Sequence, residues 1–134
     1  MKRIISLIIL VAVVLCVFVS CAKFGEDPLA YAEELEKKGF YVEVFDRTNY
    51  KGLLMIYEIA ADFKLDSASM IDYIVFCENE DEGFFFYCAN DGSAETLEQS
   101  LIKLRDNYRG YADSVIKREG KIVYFGAPDN WAGI

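Results

Sequence analysis

NEDEGFFFYCAND, residues 79 to 91, decides the fold, because the same letters satisfy two different structures. As a strand, the segment folds back on IDYIVFCE through a turn at Glu82-Gly83. Residues i and 165 − i then face each other, and Cys77 lies opposite Cys88. As a helix, it adds Phe86, Tyr87 and Asn90 to the stripe Ala94, Leu97 and Leu101, with Gly92 as a weak point. Four adjacent aromatics, Phe84 to Tyr87, carry neither the two-residue period of a half-buried strand nor the 3.6-residue period of a helix. Periodicity leaves both structures open.

The flanking sequence is easier to read. DPLAYAEELEKKG predicts a helix with Asp27 as N-cap, Pro28 at the first helical position and Gly39 as the residue that ends it. Leu29, Ala32 and Leu35 form its apolar stripe. FYVEVFD alternates as a strand with Phe40, Val42 and Val44 on one side. LLMIYEIAADF predicts a second strand by its hydrophobicity and β-branched content, although its length also permits a helix. IDYIVFCE is a third, with Ile71, Tyr73, Val75 and Cys77 sharing a face. ETLEQSLIKLRDNY is helical, with Leu97, Leu101, Leu104 and Tyr108 on one side. SVIKREGKIVYFG closes as a hairpin around Glu119-Gly120. The expected fold class is α+β: a two-layer sandwich, with an antiparallel sheet of about four to five strands against two helices. It forms one domain over residues 27–134.

The chain opens differently. MKR is followed by IISLIILVAVVLCVFVS, seventeen residues in which only Ser6 and Ser20 are polar. A positive start before an uncharged apolar run is a translocation signal, and charge returns immediately after Cys21 in AKFGEDP. Phe18 and Ser20 suit an ordinary secretory cleavage site poorly, while about twenty apolar residues can just span a bilayer as a retained helix. The segment Phe18-Val19-Ser20-Cys21 resembles the lipobox of bacterial lipoprotein signals, with Phe18 departing from the usual Leu. The resemblance implies a signal peptide over residues 1–20, lipidation of Cys21 after cleavage before it, and a tether over residues 21–26. Two acyl chains anchor stably where one does not. The five residues from Ala22 to Glu26 keep the domain within ~18 Å of the bilayer. The implied address is the extracytoplasmic face of the cell membrane.

The order helix, EKKGFYVEVFD, IDYIVFCENEDEG, long helix, VIKREGKIVYFGAPD also resembles small uncharacterised lipoproteins of Gram-positive anaerobes. There an acidic step after the middle strand starts the second helix, so the resemblance favours the helical form of residues 79–91. It implies no known activity. In the hairpin form, opposed Cβ atoms ~4.5–5.5 Å apart would bring Cys77 and Cys88 close to bridging distance. In the helical form they stand roughly 12 Å or more apart. Two free thiols, buried as small hydrophobes, are therefore expected.

Charge and composition exclude several functions. The chain has 14 Lys and Arg against 22 Asp and Glu. Without Lys2 and Arg3, twelve cations face those 22 carboxylates, a net charge of −10 that opposes nucleic-acid binding. There is no histidine, which removes the commonest general base and a common metal ligand. The run Glu78, Glu80, Asp81 and Glu82 lacks the ligand spacing of an EF-hand and is expected to be a solvated turn or helix start, so no metal or other cofactor is expected. Phe84 to Tyr87 are expected in the core rather than stacked on a glycan or peptide. Trp131, the only Trp, is a candidate contact for a ligand or partner, or a staple for the tail.

No catalytic residue is expected. The function expected is a membrane-anchored binding or protein-interaction module. Its partners would be the bilayer, through the acylated N-terminus, and an unidentified protein, glycan or small ligand. The alternative is a histidine-free hydrolase using carboxylates, and either domain could instead hang from an uncleaved transmembrane helix.

Overall fold

A computed structural model describes residues 24–61, 64–65 and 70–127. The elements run α1 (Pro28–Lys37), β1 (Tyr41–Asp46), α2 (Tyr50–Ala61), β2 (Ile71–Asn79), β3 (Asp81–Cys88), α3 (Asp91–Asn107), a 3-10 turn (Arg109–Tyr111), β4 (Val115–Glu119) and β5 (Ile122–Gly126). The fold is α+β, with a five-stranded sheet in the order β1-β2-β3-β5-β4 and every neighbouring pair antiparallel.

The sheet is covered on both faces. Tyr31, Ala32 and Leu35 of α1 pack with Phe40, Val75, Cys77, Phe85, Tyr87, Ile122 and Tyr124 on one side. Tyr50 and Leu54 of α2, with Ala94, Leu97, Leu101 and Leu104 of α3, pack on the other side against Ile71, Ile74, Phe84, Phe86, Cys88, Val123 and Phe125. This answers the question raised by residues 79–91. β3 is the middle strand, so Phe84 and Phe86 enter one core while Phe85 and Tyr87 enter the other. A strand buried on both faces is apolar at every position, and the alternation that marks a half-buried strand disappears.

The helical form of residues 79–91 is thereby overturned, and so is the turn at Glu82-Gly83. β2 and β3 pair Asn79 with Asp81, leaving Glu80 at the tip with φ 70°. Cys77 faces Gly83 and Cys88 faces Ile71. Gly83 attracts a turn in sequence, yet it lies inside β3, opposite Gly126 of β5. A Cβ on Gly126 would meet the Glu82 carbonyl oxygen and the Gly83 Cα at 2.6 Å, so this corner of the sheet requires a bare backbone. A register irregularity between Ile71 and Tyr73 also separates residues expected on one face. Ile71 joins the α2/α3 core, whereas Tyr73, Val75 and Cys77 go to the α1 side.

Residues 53–63, expected as a strand and described through Ala61, are helical to that point instead, continuing α2. A polar turn launches that helix: Asp46 Oδ1 accepts from the Thr48 amide at 2.8 Å, and Asn49 Oδ1 accepts from the Asp46 amide at 2.9 Å. Burial then follows helical spacing, with Tyr50 and Leu54 in the core and Met55 and Ile56 exposed.

The remaining elements match their sequence signals. In α1, Asp27 Oδ1 accepts from the Leu29 amide at 3.0 Å, and Gly39 leaves the helix at φ 95°. Tyr31 takes the buried position on that helix while Leu29 is exposed, because the helix turns its Tyr31-Ala32-Leu35 side to the sheet. In α3, Asn90 Oδ1 accepts from the Ser93 amide at 2.8 Å. The β4–β5 hairpin turns through Gly120, at φ 57°, and Lys121.

Candidate functional site

Three hollows among the described residues have linings that differ in kind. Between α2, α3 and the sheet lies an apolar void of about 20 Å³ bounded by Leu53, Leu54, Leu65, Phe84, Phe86, Leu101, Leu104 and Phe125. It is a packing gap, about one water across and without polar lining. At the β4–β5 turn, Glu26, Asp91, Glu119, Gly120, Lys121 and Ile122 surround about 380 Å³. At the opposite end of the sheet, beside the β2–β3 tip, is a groove of about 270 Å³.

That groove is the candidate site because, of these three, it joins an aromatic floor to a charged rim. Phe84 and Phe125 come from the neighbouring strands β3 and β5, where they pair directly. Tyr111 closes one side from the 3-10 turn, its ring 5.8 Å from that of Phe125. Asp81 and Glu82 come from the start of β3, and Asp113 and Ser114 from the turn before β4. The backbone is held firmly at this corner: the Ala127 amide donates to the Glu82 carbonyl at 3.1 Å, and Tyr124 Oη donates to the Ala127 carbonyl at 2.9 Å. Partial burial, with the Glu82 carboxylate nearby, raises the Tyr111 phenol above its ordinary value, so at neutral pH it is a neutral hydrogen-bond donor.

This arrangement suits recognition of a group with an apolar body and a positive end. Phe84 and Phe125 are each only 6% exposed and form a shallow apolar floor, while the partly exposed Tyr111 and the carboxylates of the rim are what a cation meets without being fully desolvated. Among the described residues, no group of three or more His, Cys, Asp or Glu is placed to hold a metal ion.

The acidic run of residues 78 to 82 lies at the exposed β2–β3 tip, and only Asp81 and Glu82 reach the groove. Phe84 to Tyr87 are buried. Cys77 and Cys88 are free thiols buried on opposite sides of the sheet. Burial pushes each thiol up to about 12, and Asp72 adds to the effect at Cys88, so both are protonated and inert at neutral pH. Cys21 and Trp131 lie outside the described residues. Of the expected tether, Phe24 to Glu26 are described, and Phe24 is buried in the α1-side core.

Tyr111, Asp113 and Phe125 had not been singled out from the sequence. They are separated from Glu82 by α3 and by β4, and only the β3–β5 pairing brings them together. Among the described residues, no helix is long and apolar enough to cross a membrane. The chain matches no family model, no curated protein and no solved structure.

Proposed function

We propose that this chain is a membrane-anchored, extracytoplasmic binding module, held by acylation of Cys21 and engaging a partner through the groove beside the β2–β3 tip. The observation that carries the binding role is the groove itself, in which Phe84, Tyr111 and Phe125 are rimmed by Asp81, Glu82 and Asp113. The absence of histidine and the protonated, buried state of Cys77 and Cys88 support recognition over nucleophilic catalysis. The anchoring role is supported by Val19-Ser20-Cys21 and by the return of charge directly after it.

One variant and one pair of probes test the two roles. Cys21→Ala is expected to abolish acyl labelling and signal removal, as read by intact mass of membrane-extracted protein; an unmodified chain beginning at Met1 in the parent protein would overturn the lipid anchor. A photo-crosslinking residue at position 113 is expected to trap a discrete partner in native membranes that the same probe at exposed position 36 does not. Equal capture at both positions, or none at 113, would remove the groove from the function.

The three rim carboxylates favour a second reading, a carboxylate-based hydrolase, since one groove holds them all. Turnover lost in both Glu82→Gln and Asp113→Asn, with folding unchanged, would replace the binding role with that one.

A further inference from the structure

We propose that the domain stands on the bilayer by the corner of the sheet that carries the β4–β5 turn, with the groove and the acidic β2–β3 tip facing away from the membrane. The proposal rests on N-terminal anchoring, whether by acyl chains on Cys21 or by a retained apolar helix, and not on what the groove binds.

The segment following the anchor is fastened to the domain by three contacts. The Phe24 ring packs edge-on against Phe85, with centroids 5.3 Å apart. The Phe24 amide donates to Glu119 Oε2 at 3.1 Å, and Tyr87 Oη donates to the Gly25 carbonyl at 2.7 Å. Gly25 itself lies so close to Tyr31 that a Cβ there would meet that side chain at 2.8 Å. The chain therefore enters the fold at one fixed place, beside the last residue of β4. From Cys21 to Phe24 there are three residue steps, at most about 11 Å whatever path they take. Phe24 is held that close to the lipid headgroups, and with it the adjoining corner of Glu26, Asp91, Glu119 and Lys121 faces them.

The opposite end is kept out by the length of the strands. Tyr87 pairs with Ile122 at the anchored end, while Glu82 sits where β3 begins. The five residue steps between them span roughly 17 Å, and Glu80 at the tip lies roughly 24 Å away. Glu78, Glu80, Asp81 and Glu82 are all exposed there. Their charges lie about two screening lengths from the anchored corner at physiological salt, where repulsion from anionic headgroups has largely decayed. Tipping the domain over would press four carboxylates against that surface. The anchored corner carries Glu26, Asp91 and Glu119 against Lys121, so charge separates the two ends only by the greater acidity of the tip. It is the short anchored entry that sets the orientation and leaves the groove open to a partner arriving from outside.

Paramagnetic broadening tests this on the intact membrane-extracted protein, reconstituted in nanodiscs that contain a gadolinium-chelate lipid. Amide signals of Gly120, Lys121 and Ile122 are expected to lose severalfold more intensity than those of Glu80, Asp81 and Glu82. A Gly/Ser insert of about ten residues after Lys23 adds roughly 18 Å of slack and is expected to flatten the gradient while leaving the amide spectrum of the folded domain in place. Equal or reversed broadening in the parent protein, with the protein still disc-bound, would overturn the orientation and spare the anchor. Failure to remain with the discs would overturn both.

Discussion

The two hairpins of the sheet solve one problem in different ways. β4–β5 turns at Gly120, whose φ of 57° costs glycine little, whereas β2–β3 turns at Glu80 with φ 70°, a conformation that L side chains rarely adopt. The glycine of the first hairpin sits at its tip and announces it in the sequence. The glycine nearest the second, Gly83, lies within β3, where it pairs with Gly126. A glycine therefore marks a backbone requirement, and that requirement can be a turn or a close approach. Its neighbours in sequence do not tell the two apart; the partner strand does.

The largest effect is expected from breaking the seam that joins the hairpins. Phe85 pairs with Tyr124 across β3 and β5, with ring centroids 4.9 Å apart, and meets Phe24 and Tyr31 edge-on. Phe85→Ala is expected to destabilise the domain by ~3–5 kcal/mol, measured by urea unfolding followed by circular dichroism. A loss under ~1 kcal/mol would mean that the two hairpins do not depend on this contact.

A second test probes both faces of the β2–β3 hairpin at once through its thiols. Both are raised from an ordinary 9.0 to about 12 because burial disfavours the thiolate. A folded-state value raised in this way adds stability in full below pH 9.0, and that stability is lost as pH climbs towards 12. Tyr31 and Tyr87, raised by the same cause, act with the same sign. The unfolding midpoint is expected to hold level from pH 6 to about 8 and to fall above pH 9. The fall is expected to be shallower in Cys77→Ala/Cys88→Ala. In the native protein neither thiol is expected to alkylate, and in unreduced denaturant both are; protection that persists until reductant is added would show a bridge.

The smallest effects come from exchanging the turn residues. Glu80→Gly is expected to stabilise by ~0.5 kcal/mol, the relief of a left-handed side chain less the greater freedom of an unfolded glycine. Gly120→Ala is expected to cost ~1 kcal/mol, because it imposes on the β4–β5 hairpin what the β2–β3 hairpin already bears. Equal effects of one sign would show that the tips are alike after all.

Local signals in the sequence determined α1, β1, β2, α3 and the β4–β5 hairpin, because each depends on residues within a few positions. Asp27 caps its own helix, Leu97, Leu101 and Leu104 repeat along one side, and Gly120 makes its own turn. An α+β sandwich with four of the five strands was legible from these, yet two segments exchanged roles: residues 53–63, expected extended, continue a helix through Ala61, and residues 81–88, made helical by the resemblance, form the central strand. Both are apolar runs without clean alternation, and such runs take the form that their neighbours bury. For β3 the neighbours are α1 on one side and α2 and α3 on the other, so all four aromatics face a core and no period survives in the letters. The groove was illegible for a related reason, since Glu82, Tyr111, Asp113 and Phe125 share no local pattern and meet only where β5 pairs with β3. Burial and strand pairing are properties of the assembled sheet, and those the tertiary structure alone decided.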